Sequence, residues 1–142
     1  MLMAVHRFAY RIPLYETDMG QAVYHGNYFH FFELAREACL REIGFPYPRL
    51  VAQKLHLAIV EAHCCYRQSL TYNEEIEIIS TILQIKSRSL KFRQQLVKSA
   101  SGQLATDIHL TMVCINADGK PVALPPEFRA QLEAWQGQAE LP

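Results

Sequence analysis

Residues 15–28 read Tyr15-Glu16-Thr17-Asp18-Met19-Gly20-Gln21-Ala22-Val23-Tyr24-His25-Gly26-Asn27-Tyr28, and a helical pattern begins where they end. The first turn of a helix carries unpaired backbone N–H groups and a partial positive charge. A carboxylate beside such an end can do acyl chemistry, because the amides can hold the oxyanion that forms when a carbonyl is attacked. Asp18 is the candidate carboxylate, and Gly20 and Gly26 allow close backbone approach. The same residues also read as plain turn chemistry, with Asp18 ending a strand through an Asx turn. Residue type and spacing leave both readings open.

The helix that would supply those amides is the strongest periodic element of the chain. Tyr28, Phe31, Phe32, Ala35, Cys39 and Ile43 recur at steps of three and four, which predicts a helix over 27–43 with one apolar stripe. Glu33, Glu37 and Arg41 fall on another face, where i,i+4 pairing and solvation account for them. Asn27 is the expected N-cap, Gly44 the expected C′ residue, and Pro46 and Pro48 are expected stop signals. Ahead of the helix, Val5–Tyr15 is β-rich with Pro13 inside it, as in an edge or terminal strand. After it come strand-like segments at His56–Leu70, Glu74–Lys86, Ser89–Ser99 and Gln103–Ala117. Alternation is clearest in the last two, where Leu90, Phe92 and Leu96 oppose Lys91, Arg93 and Gln95, and Leu104, Ile108, Leu110 and Met112 share a parity. Pro125–Trp135 suggests a short terminal helix. Segregated helix and strands predict an α+β fold with a mainly antiparallel sheet, one domain over 1–142. A single sheet covered on one side predicts a second copy against it.

Composition narrows the function. The 142 residues carry 14 Lys+Arg against 14 Asp+Glu, which argues against a general nucleic-acid binder with a broad basic face. No apolar run approaches the ~20 residues of a membrane span, and Arg7, Arg11 and Glu16 break up any leader-like core, so a cytoplasmic location and no stable membrane insertion are expected. Cys39, Cys64, Cys65 and Cys114 form no CxxC pair and read as buried, reduced thiols. No metal site is expected. His25 and His30 diverge by about 140° on a helix, and His56 and His63, seven apart, should face opposite sides of a strand. His63 reads as a strand residue with a local hydrogen-bond partner. No GxSxG elbow, GxGxxG or P-loop is present, so neither a serine hydrolase nor a nucleotide cofactor is implied, and no cofactor is expected.

The string YETDMGQAVYHGNYFHFFELAR resembles the signature of the 4-hydroxybenzoyl-CoA thioesterase family of hot-dog-fold acyl-CoA thioesterases, and most of all its bacterial Tol–Pal-associated branch. Thr17, Asp18, Gly20, Val23, Tyr24, His25, Asn27 and Tyr28 carry the match. Element order agrees over Arg7–Leu124, with little sequence likeness after Gly44. Glu16 stands where the family has an acid, while Gln21 replaces a small or apolar residue. The resemblance implies a hot-dog fold, a long central helix wrapped by a curved five-stranded sheet. It implies hydrolysis of an acyl-CoA to a carboxylate and free CoA. Asp18 would be nucleophile or general base, backbone amides around Tyr24–Gly26 the oxyanion hole, and His25 an orienting group. It also implies a homodimer with its sites at the interface, assembling into a homotetramer. A related family places its carboxylate on the central helix, where Glu33 and Glu37 are the available positions.

Lys86, Arg88, Lys91, Arg93 and Lys98 put five cations in 13 residues with no acid among them. A basic strand edge suits the phosphates of coenzyme A, and the resemblance points to the turn at 86–89, hence to Arg88 and Ser89. A solvated face that resists edge pairing explains the same charges. Two rivals to hydrolysis remain at this level: a hot-dog hydratase or dehydratase acting on acyl thioesters, and a non-catalytic thioester-binding module.

Overall fold

The computed structural model describes residues 3–19 and 21–138. In chain order the elements are β1 (His6–Arg11), a three-ten turn (Leu14–Glu16), β2 (Thr17–Asp18), β3 (Ala22–Val23), a second three-ten turn (His25–Asn27), α1 (Tyr28–Ile43), α2 (Tyr47–Ala52), β4 (His56–Tyr66), β5 (Glu75–Ile85), β6 (Ser89–Lys98), β7 (Leu104–Ile115) and α3 (Pro126–Gly137). The expected α+β layout is met: β1-β5-β6-β7-β4 form one five-stranded sheet, antiparallel at every pairing. The N-terminal strand is an edge strand, but it stops at Arg11, and Pro13 starts the three-ten turn instead of lying within it.

α1 lies across the β1–β5 side of the sheet because its apolar stripe has nowhere else to go. Phe31 and Phe32 are fully buried against Ile76, Ile78, Leu90, Phe92, Leu96 and Ile108. Each such side chain contributes about 1.5–3 kcal/mol by leaving water. A polar network is buried with them. Gln94 of β6 accepts a hydrogen bond from Arg36 Nη1 at 3.0 Å and donates through Nε2 to the Phe32 carbonyl and to Ser80 Oγ, both at 3.0 Å. Burial pushes the Arg36 guanidinium below its ordinary pKa, against the nearby charges of Glu33 and Glu37.

The helix ends where expected. Gly44 takes φ +97°, its N–H bonds to the Leu40 and Arg41 carbonyls, and the Phe45 N–H also returns to Leu40. This left-handed closure predicts that Gly44→Ala lowers unfolding stability by about 1 kcal/mol, seen as a lower urea midpoint at unchanged m-value. Pro46 and Pro48 do more than stop α1: Pro46 caps the short α2 and Pro48 sits in its first turn, where a missing N–H costs nothing.

Bulges alter two readings of the strands. β4 shifts register between Ile59 and Glu61, so one extra residue is inserted at Val60. His56 and His63 therefore pair with Ile115 and His109 and share a face, contrary to simple alternation, though seven residues still separate them. His63 has its local partner, Cys65 Sγ at 3.6 Å. All four thiols are free; Cys39 and Cys114 are buried, but Cys64 and Cys65 are only partly so, because β4 is the open edge of the sheet. Its Ile59 and Val60 are 45% and 61% exposed.

Candidate active site

The residues around Asp18 are held by the start of α1. In the first three-ten turn Glu16 is folded inward and buried, while its neighbour Tyr15 is 78% exposed. Glu16 Oε2 accepts from His30 Nδ1 at 2.9 Å, and the Glu16 carbonyl accepts from Asn27 Nδ2 at 3.1 Å. Asn27 is thus a tie to the preceding loop and not the side-chain cap its type suggested. Two residues on, Asp18 pairs with Ala22 and Thr17 with Val23 in the small β2–β3 ladder. The Gln21 N–H closes the hairpin on the Asp18 carbonyl at 3.1 Å, and Met19 at its tip has φ +56°. Gly20 lies outside the described residues. Asp18 itself is exposed.

Val23 carries this hairpin to the helix. Its N–H bonds to the Leu70 carbonyl at 2.9 Å, and the chain then enters the second three-ten turn. The first bond of that turn runs from the Asn27 N–H to the Tyr24 carbonyl, leaving the His25 and Gly26 N–H groups without a partner among the described residues. At Gly26 a Cβ would stand 2.8 Å from a ring carbon of the exposed Tyr24 side chain, so any other residue would have to displace that ring. The exposed Tyr24 ring also packs on the His25 ring, centroids 4.3 Å apart.

A cleft of about 250 Å³ opens beside these amides, lined by Val23, His25, Tyr28, Tyr66, Arg67 and Gln68 together with Ser69. The Tyr66 hydroxyl, from the last residue of β4, donates to the His25 carbonyl at 2.9 Å and so fixes the turn that presents the amides. Burial, with the neighbouring Cys64 adding to it, pushes the Tyr66 phenol up to about 12, so Tyr66 remains a hydroxyl donor. Burial also raises Tyr28 and raises Cys64, whose hydrogen bond with Tyr66 only partly offsets it. Cys64 therefore stays a thiol and offers no competing nucleophile.

Sequence reasoning placed Asp18, Tyr24, His25 and Gly26 together, and they do sit at one end of α1, although Asp18 does not itself line the cleft. It missed Tyr66, the last residue of β4, and Arg67 just after it, which lie about 40 residues away and carry no local motif. It also missed the Glu16–His30 contact, whose only hint is an acid ahead of a helix that has a histidine in its first turn. Arg88 and Ser89 lie elsewhere. The Arg88 carbonyl accepts from Cys114 N–H, and Tyr66 pairs with Thr106, eight residues along β7. At the rise of a strand that is about 26 Å, so Arg88 and this cleft do not meet within one protomer. Two of the five clustered cations are neutralised: Arg93 binds Asp107 at 3.0 and 3.2 Å, and Lys98 lies 3.3 Å from Glu74. Glu33 and Glu37 border a second cavity, about 320 Å³, with Arg36, Tyr47 and His56 over an apolar floor that includes Phe92 and Met112. Among the described residues no three His, Cys, Asp or Glu side chains converge to hold a metal, and no helix is long and apolar enough to cross a membrane.

The chain is similar in sequence and fold to known proteins. The chain is 28% identical over 134 residues to the acyl-CoA thioester hydrolase YbgC of Escherichia coli O6:H1, covering 94% of this chain and 99% of that one. It is 28% identical over 120 residues to the long-chain acyl-CoA thioesterase FadM of Escherichia coli K12, covering 84% and 90%. A crystal structure of a hypothetical protein from Aquifex aeolicus superposes with a TM-score of 0.82 at 28% identity, covering 89% of this chain and 98% of that one. Residues 12–132, which hold the hairpin of Asp18, the turn that opens α1 and strands β4 to β7 of the sheet, match the thioesterase-like superfamily, and the chain belongs to that superfamily of hot-dog enzymes.

Proposed function

We propose that this enzyme hydrolyses the thioester of an acyl-CoA to a carboxylate and free CoA. The observation that carries the reading is the β2–β3 ladder, which joins the strand of Asp18 to the turn whose His25 and Gly26 N–H groups have no partner among the described residues. A thioester carbonyl placed at those amides has its developing negative charge met by two donors and by the positive end of α1. Asp18 then acts in one of two ways. As a base it takes a proton from water, and the hydroxide adds to the carbonyl carbon. As a nucleophile it adds directly, giving a mixed anhydride that water cleaves. In either case the C–S bond breaks and the thiolate of CoA leaves. His25, against Tyr24, orients the reacting groups. The reaction so written needs only water, one carboxylate and backbone amides, and it suits one domain over 1–142 working in the cytoplasm.

The site is completed by a second copy. β4 offers an open edge with exposed Ile59 and Val60, which a solitary sheet would be expected to blunt. Antiparallel pairing of β4 with itself sets the start of one strand beside the end of the other. That brings Arg88 and Ser89 of the partner subunit, which lie level with the start of β4 but across β7 from it, towards the Tyr66 cleft. Arg88 can then meet the CoA phosphates, with Arg67 as the cation already in the cleft. The family resemblance of the sequence implies two such dimers in a homotetramer. Val60→Lys is expected to convert the dimer to monomer at micromolar concentration, as read by sedimentation velocity. A wild-type chain that sediments as a monomer sinks the pairing.

Thiol release from a panel of short, long and aromatic acyl-CoAs, with Asp18→Asn alongside, tests the activity. Release from at least one member that depends on Asp18 supports it. Inert wild-type protein on every member overturns it.

A further inference from the structure

Glu16 is 5% exposed in a segment whose neighbours face water. Burying a carboxylate is costly unless it is bonded, and the Glu16 carboxylate is bonded to His30 in the first turn of α1. His30 is the third helical residue, and helical side chains lean towards the N-terminus, so its ring reaches back over the preceding loop. Nδ1 donates to Glu16 Oε2 at 2.9 Å, while Asn27 Nδ2 holds the carbonyl of the same residue at 3.1 Å. Two consecutive turns of the chain are thus clamped at one point, two residues before Asp18. Beyond that clamp the hairpin of Asp18 has two ladder pairs, and the strand after its exposed tip is tied to the loop that follows β4 by an Ala22–Thr71 bridge and the Val23–Leu70 bond.

We propose that Glu16, His30 and Asn27 form a latch that sets the position of Asp18 relative to the N-terminal amides of α1, with Glu16 and His30 as positioning residues for hydrolysis. This rests on the reading of Asp18 as the catalytic carboxylate. The latch joins the two halves of the site directly: the segment carrying the carboxylate and the helix end carrying the amides. A hydrolytic site is sensitive to that spacing, since a shift of about 1 Å in a reacting group can cost a hundredfold in rate. The His30 side chain is 61% exposed, so removing it opens no cavity in the apolar core, and its direct effect falls on the buried Glu16 carboxylate that loses this partner.

The test compares His30→Ala, His30→Asn and Asp18→Asn with wild type, using an acyl-CoA that the wild type turns over and amide hydrogen exchange of the whole chain. His30→Ala is expected to lower kcat by about tenfold with KM nearly unchanged, as for lost orientation and not lost binding. Exchange should quicken at residues 17–24 while the sheet and the rest of α1 keep their protection. His30→Asn, whose Nδ2 can donate near the place of Nδ1, should restore both. Unchanged exchange at 17–24 in His30→Ala overturns the latch whatever Asp18 does, and so does a loss that asparagine fails to rescue. Undiminished turnover in Asp18→Asn overturns the catalytic assignment alone; quickened exchange in His30→Ala then still supports the latch as a structural clamp.

Discussion

Asp18→Asn is expected to lower kcat for thiol release by about a hundred- to ten-thousand-fold, the range lost with a positioned base or nucleophile. The substitution keeps size and shape and removes only the charge. Asparagine can neither take a proton from water nor attack a carbonyl at a useful rate. Stability should move by no more than about 0.5 kcal/mol, because Asp18 is exposed and its ladder bonds to the β3 backbone survive. A pure loss of kcat at unchanged urea midpoint and unchanged oligomeric state is the expected pattern. A kcat within about threefold of wild type would remove Asp18 from the chemistry, since no catalytic carboxylate is so cheaply lost.

The largest effect on stability is expected at Gln94, which no motif marks. Gln94→Leu keeps volume but strips Arg36 Nη1, the Phe32 carbonyl and Ser80 Oγ of their shared partner. Each buried group left unsatisfied costs about 1–3 kcal/mol, and more when it is charged. Arg36 makes no ion pair within 4 Å among the described residues, so its charge has no second acceptor of that kind. Urea unfolding should show a loss of about 3–5 kcal/mol, the order expected when a buried charged donor and its neutral neighbours lose their shared partner. Pairing Gln94→Leu with Arg36→Met should recover much of it, because removing both partners of a buried interaction is far less costly than orphaning one. Equal losses in the single and double variants would show that the cost lies in packing. The network also bears on activity, because Gln94 ties the backbone of α1 to the middle of the sheet, and α1 presents the amides.

What could be read from the residue order was local or periodic. The stripe from Tyr28 to Ile43 is visible because helical spacing repeats every 3.6 residues, and Gly44 is visible because only glycine takes its φ of +97° freely. The cluster Asp18, Tyr24, His25 and Gly26 was visible because these residues are neighbours in the chain and precede a helix end. Strand alternation gave the inward face of β6, including Leu90, Phe92 and Leu96, but it did not reveal Gln94 among them. A polar residue on an apolar face is explained only by its partner, and Arg36 is 58 residues away. The bulge at Val60 likewise reversed the face assigned to His63, since one inserted residue inverts a period of two and leaves no mark in composition.

The amino-acid sequence by itself marked Asp18 as the candidate carboxylate, Gly26 as a point of close backbone approach and the apolar stripe of the helix that follows them. Those depend on contiguous residues and on backbone rules that act over a few positions. Tertiary structure decided the rest: that Tyr66 secures the His25 carbonyl, that Arg67 is the cation in the cleft, that Arg88 lies at the far end of the same sheet, and that Glu16 is buried under His30. Each of these is a contact or a separation set by strand register and by the packing of α1, and such long-range geometry has no counterpart in local propensity.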